Sequence, residues 1–197
     1  MLRVGLTGSI ATGKSTVLAV FEDAGIPTFS SDEAVHRLYE GAAVAPIERL
    51  FPGVTTDGRV DRTRLSKKVL GHPEKLRELE GVVHPLVRGE IADFFKQAEG
   101  RGAPLAVVDV PLLYENGFDY GLDAIIVTVV DEAEQRRRAL ARPGMTVEKL
   151  DAILARQMPQ AEKKRRATHV IDTGGTIEQT QGDVRALIEQ LKAPSAP

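Results

Sequence analysis

Apolar runs and helical stripes alternate along the chain. Residues 2–7 are short, β-rich and closed by a glycine, which predicts a strand. Over residues 13–24 apolar side chains recur at Val17, Val20, Phe21 and Ala24, the spacing of a helix that Gly25 and Pro27 end. Residues 26–29 predict a second short strand. From 34 to 99 the pattern is mostly helical. Pro73 and Pro85 each stand where a first helical turn begins, and Leu86, Val87, Ile91, Phe94 and Phe95 form a stripe. Residues 99–104 read as a linker by composition. Residues 105–110 and 124–130 are nearly continuous apolar runs, as buried parallel strands are. Residues 132–166 are helical and rich in arginine, with a break at Pro143-Gly144. Residues 169–172 predict a last strand. Thr176 and Gln179 then make a capping-box pair before a helix carrying Ile177, Val184, Leu187, Ile188 and Leu191. Residues 193–197 read as a loose tail.

Strands alternating with helices predict the α/β class: three layers around a parallel sheet of five strands. The helical stretch from residue 34 falls between strands two and three. It is too long for an ordinary crossover, which predicts an inserted helical subdomain.

One segment carries chemistry directly. Gly8-Ser9-Ile10-Ala11-Thr12-Gly13-Lys14-Ser15 matches G-x-x-x-x-G-K-[ST], and it follows a predicted strand and opens a predicted helix. Gly8 and Gly13 allow backbone angles that other residues resist. Successive N–H groups then face one anion, and the helix N-terminus adds about half a positive charge. Lys14 reaches the β and γ phosphates, and the Ser15 hydroxyl is a ligand for Mg²⁺.

Composition narrows the class. The 197 residues are 42% hydrophobic and 27% charged, as in a globular protein with a sizeable core. Net charge is −2, which gives no whole-chain attraction to nucleic acid or to an anionic membrane. With no cysteine there is no thiolate nucleophile and no Cys-based metal site, which suits a cytoplasmic protein. No apolar stretch is long enough to span a bilayer, and the N-terminus lacks a signal-peptide layout.

Among phosphate-loop proteins, a GTPase needs the guanine-reading N-K-x-D. The single asparagine, Asn116, precedes Gly117, so that motif is absent. An ABC-type signature is missing too. What remains is a small kinase, which needs an acceptor-positioning carboxylate, cations over the transferring phosphoryl and a second substrate pocket. Asp32, after strand two, fits the first role and equally fits an N-cap. Asp109, ending an apolar run, fits a carboxylate near the metal or a cap. Arg136, Arg137, Arg138 and Arg142 crowd one predicted helix, with Arg138 and Arg142 at i and i+4. They fit a lid over ATP or a solvated face. The run Lys163–Arg166 reads as solvated surface. His84, before Pro85, fits a cap or a packing residue. A nucleoside-monophosphate kinase and a nucleotide-dependent regulatory module stay open as alternatives.

At this point the chain resembles the dephospho-CoA kinase family over about residues 2–175. The resemblance rests on Val4–Ile10 with Gly13-Lys14-Ser15-Thr16, on Asp57-Gly58, Asp61-Arg62 and Leu65, and on Leu79-Glu80 with His84-Pro85-Leu86. Further matches are Asp109–Glu115, Arg138 with Arg142, Gln157 and Val170-Ile171-Asp172. It implies a phosphate-loop kinase fold and ATP-dependent phosphorylation of the ribose 3′-hydroxyl of dephospho-CoA, with Mg²⁺. It implies ATP contacts at Gly8, Ala11, Thr12, Gly13, Lys14, Ser15, Thr16 and Arg142. Asp32 would take the hydroxyl proton, with Lys14 and Arg138 acting on the phosphoryl group and His84 on the acceptor. Residues 34–101 would form the acceptor subdomain and 136–165 the lid. Four positions depart from the family pattern: Ser30 and Thr168 each replace an aspartate, Ser9 a glycine and Thr173 an asparagine.

Overall fold

The computed structural model describes residues 1–193, so the tail expected at 193–197 lies, beyond its first residue, outside the described residues. The chain forms two compact units, residues 30–94 and the remainder.

The larger unit is built on a five-stranded sheet. Its strands are β1 (Leu2–Gly8), β2 (Thr28–Ser30), β5 (Leu105–Asp109), β6 (Ala124–Val129) and β7 (His169–Asp172), in the order β2-β5-β1-β6-β7. β1 pairs in parallel with β5 and β6, and β6 with β7. All five residues of β5 are buried, so both sheet faces are covered there, and the near-continuous apolar run follows from that. One face packs against α1 (Lys14–Asp23) and α9 (Ile177–Lys192). There Val4, Leu6, Leu105, Val107, Ile126 and Ile171 meet Val17, Phe21, Val184 and Ile188.

The capping box of α9 is present as read: Thr176 accepts from Gln179 N–H and the Gln179 side chain returns to Thr176 N–H. Two expected core residues are not buried. Ile177 is 63% exposed in the first turn, and Ala24 stands outside, past the end of α1. The arginine-rich stretch forms three helices, α6 (Glu132–Leu140), α7 (Val147–Leu154) and α8 (Gln160–Arg166).

Register brings four strand ends together. Gly8 pairs with Thr128, Leu6 with Asp109, and Val129 with Asp172. The carboxyl ends of β1, β5, β6 and β7 thus share one edge of the sheet, where ligands of such folds bind.

The smaller unit is mostly helical: α2 (Ser31–Leu38), α3 (Val44–Leu50), α4 (Arg62–Val69) and most of α5 (Pro73–Gly100). Leu38, Ile47, Phe51, Val54, Val60 and Leu65 are buried in it. Two differences from the sequence reading stand out. Residues 55–60 form a hairpin, β3 (Thr55–Thr56) and β4 (Arg59–Val60). Its turn residues Asp57 and Gly58 both take positive φ, 51° and 74°, the geometry that favours Asp-Gly. And Pro85 does not begin a helix: it lies inside α5, where Leu79, Val83, Val87, Ile91 and Phe95 form the buried stripe. Gly81, whose carbonyl Pro85 leaves without its helical donor, is exposed, so water is at hand to bond it.

Among the described residues no helix is long and apolar enough to cross a membrane.

Candidate active site

The glycine-rich segment joins β1 to α1 as a loop of residues 9–13. Gly13 is the N-cap of α1 with φ 78°, a left-handed angle that favours glycine. A Cβ there would also stand 2.9 Å from Thr173 Oγ1. Gly8 is needed for a different reason than its angle, since its φ is not positive. A Cβ at Gly8 would lie 2.1 Å from Thr128 Oγ1 and 2.6 Å from Thr12 Oγ1. The second left-handed residue of the loop is Ala11, φ 62°, packed with Ala139 and Leu150.

Hydroxyls knit the loop to the strand ends. Thr12 Oγ1 donates to Ser9 O at 2.8 Å and stands 2.7 Å from Thr128 Oγ1. Thr173 Oγ1, buried, donates to Thr12 O at 3.0 Å. Lys14 and Ser15 open α1, so their N–H groups have no intrahelical partner and are offered to an anion. Ser15 is exposed and Thr16 half-buried.

The Lys14 ammonium forms an ion pair with Asp109, whose side chain is 8% exposed at the end of β5. Asp109 therefore faces the phosphate-loop lysine. A hydroxyl at Ser15 and a carboxylate at Asp109 are hard oxygen donors of the kind Mg²⁺ takes together with substrate phosphates. No three His, Cys, Asp or Glu converge among the described residues, so phosphates and water would complete such a shell.

Arg138 is anchored beside the loop. Its Nη2 donates to Thr173 O at 2.8 Å, its Nη1 to Thr173 Oγ1 at 3.2 Å and its Nε to Glu134 Oε1 at 2.7 Å. Glu134 also accepts two bonds from Arg137, and the two guanidiniums hold its carboxyl down to about 2. Arg142 does not share a helix face with Arg138. α6 ends at Leu140, because Pro143 disfavours helical backbone at the residue before it, and Arg142 is exposed in the turn.

The second basic run is not simply surface. Lys163 is fully buried, and its ammonium lies 2.8 Å from Glu115 Oε1 and 3.3 Å from Pro111 O. Glu115 Oε1 also accepts from Met158 N–H at 2.8 Å. Lys164, Arg165 and Arg166 are exposed, the two arginines paired with Glu162.

Gly8, Ala11, Thr12, Gly13, Lys14, Ser15, Thr16, Asp109, Arg138 and Thr173 belong to the larger unit, Asp32 and His84 to the smaller. Asp32 is the second residue of α2 and is exposed. It is not the N-cap. Ser30 is, accepting from Glu33 N–H at 3.3 Å, so the serine at that position keeps the helix start intact. His84 is half-buried in the middle of α5, not at a helix start. Sequence reasoning did not find Thr128, Gln135, Gln160 or the Lys163–Glu115 pair. Gln135 had a signal, a polar residue four before the buried Ala139 on one face of α6.

Known proteins resemble this chain over nearly its whole length. The family model described as dephospho-CoA kinase matches residues 2–179. A dephospho-CoA kinase of Rhodopseudomonas palustris (strain HaA2) is 50% identical, covering 96% of this chain and 95% of its own. A crystal structure of a Thermus thermophilus protein superposes with a TM-score of 0.82 at 35% identity, covering 96% and 97% of the two chains. A dephospho-CoA kinase structure from Campylobacter jejuni shares the fold at a TM-score of 0.70 and 22% identity, over 96% of each chain. With the phosphate loop formed and the match running nearly end to end, the chain belongs to the dephospho-CoA kinase family.

Proposed function

We infer that the chain transfers the γ-phosphoryl of ATP to the ribose 3′-hydroxyl of dephospho-CoA, giving coenzyme A and ADP. The match to the family over residues 2–179 carries this reading, and the loop at residues 8–16 supports it.

The residues take the following parts. The loop at Gly8 and residues 11–16 binds the triphosphate, its N–H groups and the N-terminus of α1 facing the anion. Lys14 leaves Asp109 for the β and γ phosphates, where its charge meets the negative charge that builds on the oxygens being transferred. Arg138 neutralises the same group, and Arg142 adds a contact to ATP as residues 136–165 close as a lid. Asp32 orients the ribose hydroxyl and accepts its proton late in a loose transition state. Residues 34–101 hold the acceptor, with His84 among its contacts. Ser15, with Asp109, would hold Mg²⁺, which when bound screens the phosphate charge. The chain works in the cytoplasm, and its net charge of −2 fits small-molecule substrates better than nucleic acid or an anionic membrane.

An assay of ADP release tests this. Turnover with dephospho-CoA is expected to exceed turnover with AMP, CMP, UMP or shikimate at equal concentration. Preference for any of those acceptors would overturn the reading.

A further inference from the structure

Ile10, within the phosphate loop, has both backbone polar groups held by glutamine side chains. Its N–H donates to Gln157 Oε1 at 2.9 Å. Its carbonyl accepts from Gln135 Nε2 at 2.8 Å. Gln135 is 3% exposed, so its amide has little water to turn to. Its Oε1 accepts from Gln160 Nε2 at 2.8 Å, and Gln160 Oε1 accepts from Val130 N–H at 3.0 Å.

This relay starts at a backbone donor, Val130 N–H, and ends at a backbone acceptor, Ile10 C=O. A side-chain amide by itself admits two orientations. Here the two ends permit one orientation for each of Gln135 and Gln160. Three hydrogen bonds then run in one direction and polarise one another.

The relay acts on the next residue. A trans peptide is planar, with C=O and N–H pointing opposite ways. Fixing the Ile10 carbonyl toward Gln135 therefore fixes the Ala11 N–H away from it. The preceding peptide is fixed likewise. Ile10 N–H is committed to Gln157, and Ser9 O on the opposite side accepts from Thr12 Oγ1 at 2.8 Å. The second of these peptides along the chain leads into the left-handed Ala11, φ 62°, an angle alanine adopts only when its surroundings impose it.

We propose that Gln135 and Gln160 are positioning residues: through the Ile10 carbonyl they aim the Ala11 N–H at the triphosphate of ATP and hold the loop in its binding shape. The proposal rests on the ATP-dependent reading above. A contact of this kind is made in the ground state and kept in the transition state. Its loss therefore raises KM while leaving kcat in place.

The test uses the full chain and three variants, Gln135→Met, Gln160→Met and Gln160→Glu. The last keeps the acceptor for Val130 N–H and turns the donor to Gln135 into a charged acceptor, while Gln160→Met removes both without adding charge. Calorimetry with ATP is run first on the unchanged protein. If that protein does not bind ATP, the phosphoryl-transfer reading itself falls. If it does, each folded variant is expected to show at least a fivefold rise in Kd and KM for ATP. Its kcat stays within twofold, and its affinity for dephospho-CoA is unchanged. The Ala11 amide resonance, moved by ATP in the unchanged protein, moves less in the variants. A rise below fivefold, or a fall in kcat alone, overturns the proposal whatever happens to the melting temperature. If Gln135→Met does not fold, the two Gln160 variants decide, since they leave Gln135 in contact with Ile10.

Discussion

The ammonium of Lys163, fully buried, lies 2.8 Å from the carboxylate of Glu115, 48 residues earlier in the chain. Removing one partner of such a pair leaves the other charge buried without compensation, which costs about 3–5 kcal/mol. Lys163→Ala is therefore expected to lower stability by about that amount in urea unfolding. Lys164→Ala, on the exposed side of the same helix, should change it by less than about 0.5 kcal/mol.

Lys14→Ala should leave the fold intact and slow turnover by about two to three orders of magnitude, the cost of removing one group that stabilises transition-state charge. Steady-state kinetics, with circular dichroism to confirm folding, checks it. Asp109→Asn removes the charge that faces Lys14 and should raise the Mg²⁺ concentration needed for half-maximal rate, read from a Mg²⁺ titration of turnover.

Asp32 and Ser30 separate catalysis from capping. Ser30→Ala removes the N-cap of α2 and should cost about 0.5–2 kcal/mol. Asp32→Asn keeps the shape of the side chain but removes its capacity to take a proton. Turnover is expected to slow by about a hundredfold or more, as for loss of a general base, with the melting temperature nearly unchanged. Kinetics and thermal unfolding of both variants test the assignment.

Glu134 predicts a pH dependence. Its carboxyl is held at about 2 in the folded chain against an ordinary 4.5, first by hydrogen bonds from Arg137 and then by those from Arg138. As pH falls below 4.5 the unfolded chain binds a proton there before the folded chain does. The stabilisation is thus complete above the ordinary value and is lost as pH falls toward about 2. Glu134→Gln should lower the melting temperature modestly at neutral pH, because the pair is solvent-screened, and the difference from the unchanged protein should vanish as pH falls toward about 2.

The central strands β5 and β6 were legible because they are largely buried and read as apolar runs, and β1 because it is β-rich and closed by a glycine. The shorter edge strands β2 and β7 were legible from β-favouring residues between breaks in the helical pattern. The phosphate loop was legible because its residues are contiguous. The β3–β4 hairpin was missed because strands of two residues carry no period; its one local signal was Asp57-Gly58. Pro85 misled for an opposite reason. A proline usually marks a helix start, yet the stripe through Val83, Val87 and Ile91 runs past it and holds α5 together. Lys163 sat in a run of four basic residues and looked solvated. Its burial depends on Glu115, which no local pattern connects to it. Asp32 was readable as a cap or as a base, and the observed bond from Glu33 N–H to Ser30 removes only the first of these. The relay of Gln135 and Gln160 was hidden because its ends are backbone groups, whose directions a sequence does not display.

The backbone at Ala11 limits what a mutational library can recover. Its positive φ favours glycine, asparagine or aspartate. Ala11 is buried in an apolar cluster with Ala139 and Leu150, where a polar side chain would lose its water. Of the residues that suit the angle, only glycine suits apolar surroundings. Saturation mutagenesis under selection for growth should return alanine and glycine at position 11, whatever the selection pressure. The exposed neighbour of the loop, Ser15, should be restricted by chemistry instead, returning serine and threonine.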